Sequence, residues 1–399
     1  MRVLPTQQPL IFLRSILMRF RTTLISTLIL ATLLPGVIAT AQDNPQAFPP
    51  DIAAEIQAEM DDLTANGFPP GMVVWIDAPE YQFAGASGFA NLMDQMSMPP
   101  EGAFRIGSIT KMFTATVILQ LAEDGTLTLD DPLALWLPEV ADQLPYGDQI
   151  TLHHLLSHTS GVFHYVENEA YYADIFTEVQ VDETTGAVTL DCAQRDPNVT
   201  LARYVYDQDA LFEPGAGWYY SNTNYTLLGM VIEAAANMPL AATYRTQIYE
   251  PLGMQSTFLD CYEDAVIDVV HGYSAFGDTM SDVTELHESV GWAAGGLVST
   301  APDLIAFARG LFSGALFDDP ESLVTMTSPT PGGPYGLGMF IQEDYLGHSG
   351  AIAGFRSVLH YAPEFDMVVV VLYNIDSADP EQSLAELLNP ALTLLSAEE

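Results

Sequence analysis

The sequence predicts an α/β fold of the α+β kind: an antiparallel sheet flanked by helices, with a mainly helical region inserted into it. Two observations carry this. Strand-like runs gather at the two ends of the chain, residues 72–76 and 81–90 early and 335–342, 355–361 and 367–373 late. Between them, residues 126 to about 310 read as helices and loops without an internal repeat. Chain ends that both supply strands pack most simply as one sheet with helical layers around a shared core.

Taken in order, residues 1–41 are expected to be a signal peptide. Arg19 and Arg21 precede an apolar run over 22–34, Pro35 and Gly36 break it, and Ala39-Thr40-Ala41 forms a small-x-small cleavage pattern. A start at Met18 would give that leader ordinary proportions. Residues 42–50, with three prolines, read as a linker to a domain over 51–397. Residues 51–66 place Ile52, Ile56, Met60 and Leu63 at helical spacing before Gly67. The short runs at 72–76 and 81–90 follow as strands. Residues 109–121 turn helical and stop at Glu123-Asp124-Gly125. Residues 362–366 turn between the last two strands, and 383–395 close as a helix. The sheet part is thus expected over 51–108 and 311–397, the helical part over 109–310, with a site in the cleft between them.

Composition narrows the function. The 399 residues hold 52 acidic and 11 basic side chains, a formal net charge of −41. Only 16% of residues are charged, against about 25% in an average protein, so the imbalance comes from missing bases. All the acids follow residue 42, whereas Arg2, Arg14, Arg19 and Arg21 precede it. Nucleic-acid binding is excluded, since it needs Lys and Arg to displace counterions from phosphates. Docking on anionic lipid is disfavoured for the same reason. At 49% apolar and 10% aromatic, the chain can bury a core. No stable membrane anchor is expected after leader cleavage, and the sequence assigns no oligomeric state. The two cysteines, Cys192 and Cys261, permit one disulfide in an oxidising compartment or two buried thiols.

Three motifs carry chemistry. Lys111 is the only lysine and falls three residues after Ser108, where an amphipathic helix is expected to begin, so amine and hydroxyl share one face. A serine hydroxyl needs an adjacent base, and an amine serves only if its pKa falls. Burial and the positive helix N-terminus both push it that way. The second motif is Tyr220-Ser221-Asn222, ahead of a helical run: a phenol can pass a proton and a carboxamide can bond both a lysine and a substrate. The third is Gly347-His348-Ser349-Gly350-Ala351, expected at the end of a strand. There Gly350 would let a substrate approach the backbone, and the Ala351 amide would act as an oxyanion donor. His154 and His158 are spaced as metal ligands on a helix, yet no glutamate follows His154 as a zinc-protease base would require. No metal or cofactor is expected.

In this order and spacing the three motifs resemble the serine β-lactamase and penicillin-binding protein superfamily, with its S-x-x-K, Y-x-N and K-T-G or H-x-G elements. The branch resembled holds class C β-lactamases, DD-carboxypeptidases, D-aminopeptidases and family VIII esterases. Phe104 to Lys111, Leu155-Leu156-Ser157-His158-Thr159-Ser160-Gly161 and Gly295-Gly296-Leu297-Val298-Ser299-Thr300-Ala301 support it, over roughly residues 50–395. The resemblance implies a β-lactamase/transpeptidase-like fold and a metal-independent hydrolase. It makes Ser108 the acylated nucleophile, Lys111 its base, Tyr220 the proton shuttle and Asn222 a partner of lysine and substrate. It places His348 and Ser349 on the substrate-side strand and the Ser108 and Ala351 amides in the oxyanion hole. Two departures bear on the substrate. His348-Ser349-Gly350 stands where class C enzymes have K-T-G, and residues 310–347 contain no Arg or Lys to hold a terminal carboxylate, Arg356 being the nearest candidate. The expected activity is therefore that of an exported, periplasmic or extracellular, serine hydrolase. Its substrates would be small amides or peptides of D-amino acids, with β-lactams added by what the resemblance implies; carboxylic ester hydrolysis is the second reading. A penicillin-recognising sensor that acylates without turnover is the third.

Overall fold

A computed structural model describes residues 45–276 and 279–398. The expected leader lies outside these residues. The centre is an eight-stranded sheet. From one edge the order is Gln46–Ala47, Tyr81–Asn91, Gly71–Asp77, Met367–Tyr373, Phe355–Ala362, Leu346–Ile352 and Phe340–Ile341, and Met96–Ser97 pairs on Tyr81–Asn91 off this path. All pairings are antiparallel except that of Gln46–Ala47. Both chain ends therefore build the sheet, as expected.

Period-2 patterning sets its two faces. In Met367–Tyr373, Val368, Val370 and Leu372 enter the core shared with the helical region. Met367, Val369, Val371 and Tyr373 enter a second core, beneath the helices Pro50–Thr64 and Pro380–Glu398. A strand covered on both sides needs an uninterrupted apolar run, which is why this one is legible from sequence.

Three expectations change. The segment expected as a linker is part of the fold: Gln46 and Ala47 pair with Tyr81 and Gln82, and Phe48 is buried against Tyr81, ring centroids 5.2 Å apart. Its prolines mask a two-residue edge strand and an aromatic anchor. The strand expected over 335–342 shrinks to Phe340–Ile341. Tyr335, Leu337 and Met339 are all buried, mimicking strand alternation. Yet Gly338 has φ +85°, and a Cβ on Gly336 would lie 2.3 Å from the Met326 carbonyl, so the chain turns tightly instead. The middle region is also less purely helical than expected. It contributes Leu297–Thr300 and Phe258–Leu259 to a three-stranded antiparallel sheet completed by Ala103–Arg105, and holds a hairpin of Tyr273–Phe276 with Thr279–Asp282. Strands of two to four residues are too short to establish a period.

The central helix, Thr110–Glu123, is buried at eleven of its fourteen positions. It is an interior helix, not the amphipathic one expected. It packs on Asn222–Ala236 and on the short helix Trp292–Gly295. The helix Ala301–Phe312 lies on the main sheet, where Arg309 pairs with Asp77 and with Asp366 at 2.7 Å. Among the described residues, no single helix is long and apolar enough to cross a membrane.

Candidate active site

The Ser108 turn is built by close packing. Gly107, at φ +51°, starts a 3₁₀ turn over Gly107–Ile109 that runs into the central helix. A Cβ there would lie 2.8 Å from the Ala351 nitrogen, so only glycine takes this conformation at this approach. Thr110 fixes the turn, its hydroxyl donating to the Gly107 carbonyl at 2.7 Å and accepting from the Leu297 amide at 3.2 Å.

Lys111 is fully buried. Its Nζ donates to Ser108 Oγ at 2.9 Å and to the Ala294 carbonyl at 2.6 Å, and lies 4.9 Å from the Tyr220 ring centre and 5.6 Å from that of Tyr225. Burial holds the amine well below its ordinary pKa. The Tyr220 hydroxyl donates to the same Ser108 Oγ at 2.9 Å, and burial pushes that phenol up. The two shifts separate the possible roles. The lysine is poised as a neutral amine able to take the Ser108 proton, whereas the phenol keeps its own and can give it to a leaving group.

Two histidines orient the second motif. The Ser221 amide donates to His158 Nδ1 at 3.2 Å and the Asn222 amide to His164 Nδ1 at 3.1 Å. The His158 ring centre lies 4.4 Å from that of Tyr220. Burial holds His164 down at about 3. His158 is held well below its usual value by burial. Both imidazoles are neutral acceptors. Asn222 departs from its expected role as a lysine partner. Its side chain lies beside Tyr165, and its Oδ1 is buried without a hydrogen-bond partner. His154 and His158 serve different groups, since His154 Nδ1 caps its own helix by accepting from Thr151 at 3.2 Å.

The third motif lies inside the strand Leu346–Ile352, not at its end. Polar and glycine residues broke the apolar pattern that would have revealed it. The outer strand Phe340–Ile341 covers only Leu346 and Gly347, so the edge beyond them is met by the Ser108 turn. A Cβ on Gly350 would lie 2.0 Å from the Ile106 carbonyl and 2.3 Å from Ser357 Oγ. Glycine is thus required there by packing against the nucleophile's own segment, not by the approach of a substrate. Ser108 and the Ala351 amide are thereby brought together, and the two amides can converge on an oxyanion. His348 is buried with its Nε2 3.0 Å from the Tyr335 hydroxyl and its Nδ1 2.6 Å from the Ser349 carbonyl. Burial holds it at about 3. Its ring centre is 6.1 Å from that of Tyr220, so it backs the phenol and does not face the cleft. Ser349 stands opposite Val358, which points into the second core, so its side chain faces away from the helical region. The Arg356 Nε donates to the Asp376 carbonyl, which ties this cation to a loop.

Cys192 and Cys261 form a disulfide with Cα atoms 5.3 Å apart. It anchors the segment after helix Glu169–Glu178 and the hairpin Gln180–Val181 with Val188–Thr189. That segment also runs beside Leu286. Sequence reasoning missed Ala294 as the second lysine partner, Tyr165 beside Asn222 and Tyr335 behind His348. None lies in a motif with a readable spacing. The stretch around His158 was visible, but its hydrogen-bonding role was not.

Comparison with known proteins agrees with this geometry. A D-stereospecific amidohydrolase from Streptomyces sp. superposes with a TM-score of 0.72 at 30% identity, over 84% of this chain and 97% of that one. D-aminopeptidase of Gluconobacter oxydans (strain 621H) is 28% identical over 362 residues, 85% of this chain. Esterase EstB of Burkholderia gladioli is 31% identical over 224 residues, 55% of this chain. The chain spans 62% and 55% of the lengths of these last two proteins. The family model described as Beta-lactamase matches residues 56–392, and the chain belongs to that family of serine hydrolases.

Proposed function

We propose that the protein is an exported serine hydrolase that opens small amide bonds of D-amino-acid derivatives through an acyl-enzyme on Ser108. The observation that carries this is the convergence of a buried, neutral lysine and a protonated tyrosine on one serine oxygen, each at 2.9 Å. Ser108 Oγ attacks the carbonyl carbon while its proton passes to Lys111 Nζ. The carbonyl oxygen becomes an oxyanion held by the Ser108 and Ala351 amides. As the C–N bond breaks, Tyr220 protonates the leaving nitrogen and regains its proton from the Lys111 ammonium. A water then attacks the ester along the reverse path, giving its proton to the same relay and releasing the acid.

The preference for D-amino-acid amides draws support from the two relatives named for D-configured substrates. The neutral site supports it too: three imidazoles and a lysine held uncharged offer no cation for a carboxylate. Export is supported by the leader pattern and by the disulfide, a bond that persists in oxidising compartments. Ester hydrolysis is the second reading, favoured by the esterase relative. A matched panel of a D-amino-acid amide, a D-Ala-D-Ala peptide, a penicillin, a cephalosporin and a short nitrophenyl ester ranks these substrates. Ser108→Ala is expected to abolish covalent labelling by a serine-directed probe and to lower kcat about 10⁴-fold or more. Labelling that persists in this variant overturns the assignment.

A further inference from the structure

The carbonyl that receives the Lys111 amine is itself held by groups with no part in the reaction above. The Ala294 carbonyl, 2.6 Å from Lys111 Nζ, belongs to the short helix Trp292–Gly295, which closes on itself through the Gly296 amide and the Trp292 carbonyl at 2.8 Å. Its first residue is strained. Buried Trp292 takes φ +33° and ψ −120°, a conformation costly for a residue with a side chain and kept only where the surroundings impose it.

Two helices impose it. Asn222–Ala236 presents Gly229, where a Cβ would lie 2.5 Å from Ala293 Cβ and 2.8 Å from Trp292 Cζ3. This contact is apolar and sets how near the turn lies, not which way its carbonyls point. The central helix presents Thr114, one turn beyond Lys111 on the same face. Thr114 Oγ1 lies 2.6 Å from the Ala293 carbonyl and 3.3 Å from the Thr110 carbonyl. A carbonyl only accepts, so the one hydroxyl proton is committed to these two, and the Tyr244 hydroxyl, 2.6 Å away, donates to Thr114. Thr114 and Tyr244 are both fully buried. Two successive carbonyls of the strained turn, Ala293 and Ala294, are thus held by Thr114 and Lys111 of one helix face. The Ala294 carbonyl holds an N–H of the neutral amine and favours the ammonium that forms when the Ser108 proton arrives.

We propose that Thr114 and Tyr244 are positioning residues for the reaction: their hydrogen-bond chain locks the Trp292–Gly295 turn so that the Ala294 carbonyl aims the Lys111 amine at Ser108. This rests on the acyl-serine reading above. Labelling of Ser108 by a fluorophosphonate, followed across pH and normalised to the label taken up at completion, tests it without a substrate. The other titratable groups about Lys111 are Tyr220 and Tyr225, with ring centres 4.9 and 5.6 Å from Nζ, and the imidazoles of His158, His164 and His348 around the Tyr220 ring. Burial keeps these phenols protonated and these imidazoles neutral near neutral pH, so the acidic limb of the labelling rate belongs to Lys111. Thr114→Val keeps the shape and removes the hydroxyl. It is expected to lower the plateau rate about tenfold or more and to move the limb to lower pH, because the ammonium loses the carbonyl that stabilises it. Thr114→Ser is expected to keep both. Should Thr114→Val not fold, Tyr244→Phe removes the hydroxyl that feeds Thr114 and is expected to move the limb in the same direction; a limb left in place there overturns the proposal. A Thr114→Val enzyme with a lower Tm but the wild-type limb and plateau also overturns it, and leaves the acyl-serine reading standing. A serine variant that behaves like the valine one assigns the effect to the methyl group and overturns it as well. Wild type that takes no label at Ser108, or labels without an acidic limb, overturns the acyl-serine reading itself.

Discussion

Lys111 shows how one residue sets both reactivity and a stability cost. A neutral amine is useful to Ser108 only because the site withholds the solvation that would keep it charged. Its folded pKa lies well below the unfolded value of 10.5, so the unfolded chain binds the extra proton. Stability therefore rises with pH between the folded pKa and the unfolded one, and is reduced below that window. Acylation has the same sign, being lost as pH falls through the folded value and the amine becomes an ammonium. Lys111→Met is accordingly expected to abolish acylation near neutral pH and yet raise Tm there, since an apolar chain of similar length replaces a buried amine. Calorimetry and probe labelling at pH 7 check both halves; a lower Tm would show that the hydrogen bonds to Ser108 and Ala294 outweigh the desolvation.

The elements that matter most are the turn before Ser108 and the strand edge it meets. Gly107 and Gly350 interlock there, and Ser357 bonds the Ile106 carbonyl at 2.8 Å from the neighbouring strand. Three chain segments thus meet with only the Ser357 hydroxyl between them. Gly350→Ala inserts a methyl group 2.0 Å from a backbone oxygen. It is expected to cost about 1–3 kcal/mol and to lower kcat by separating the two oxyanion amides. Urea unfolding and steady-state kinetics measure these together. A stable Gly350→Ala enzyme with unchanged kcat would mean that the edge can slide without loss of the site. The short helix Trp292–Gly295 is a second such element, because its Ala294 carbonyl fixes where the lysine amine points.

At the scale of the whole molecule, the chain ends form the sheet, the middle supplies the helices, and one disulfide ties the inserted wall to the rest. Cys192 and Cys261 are 69 residues apart in sequence, and closing a loop of that length contributes about 4 kcal/mol in the chain-entropy description. The double variant Cys192→Ser, Cys261→Ser is expected to lose about 2–4 kcal/mol, measured by chemical denaturation. An unchanged midpoint would show that the backbone pairing near Leu190 suffices without the bridge. The net charge of −41 acts on the same scale: self-repulsion weakens as salt screens it, so the unfolding midpoint is expected to rise with ionic strength between 0.01 and about 0.15 M. A midpoint independent of salt would show the acids too dispersed to matter.

The sequence by itself determined the order of elements, the use of both chain ends in one sheet, and the Ser108, Lys111 and Tyr220 constellation. Each depends on local pattern: an apolar run such as 367–373, a lone lysine three residues after a serine, a tyrosine ahead of a helix. Only the tertiary structure decided what surrounds these groups. Gly350 read as room for a substrate and proved to be room for Ile106; His348 read as a substrate-side residue and proved to be buried behind Tyr220. The partners of Lys111 and the burial of the neutral imidazoles likewise join residues up to 183 positions apart. Burial and contact across such separations leave no period in the chain, so the chemistry of the nucleophile was legible and the environment that makes it reactive was not.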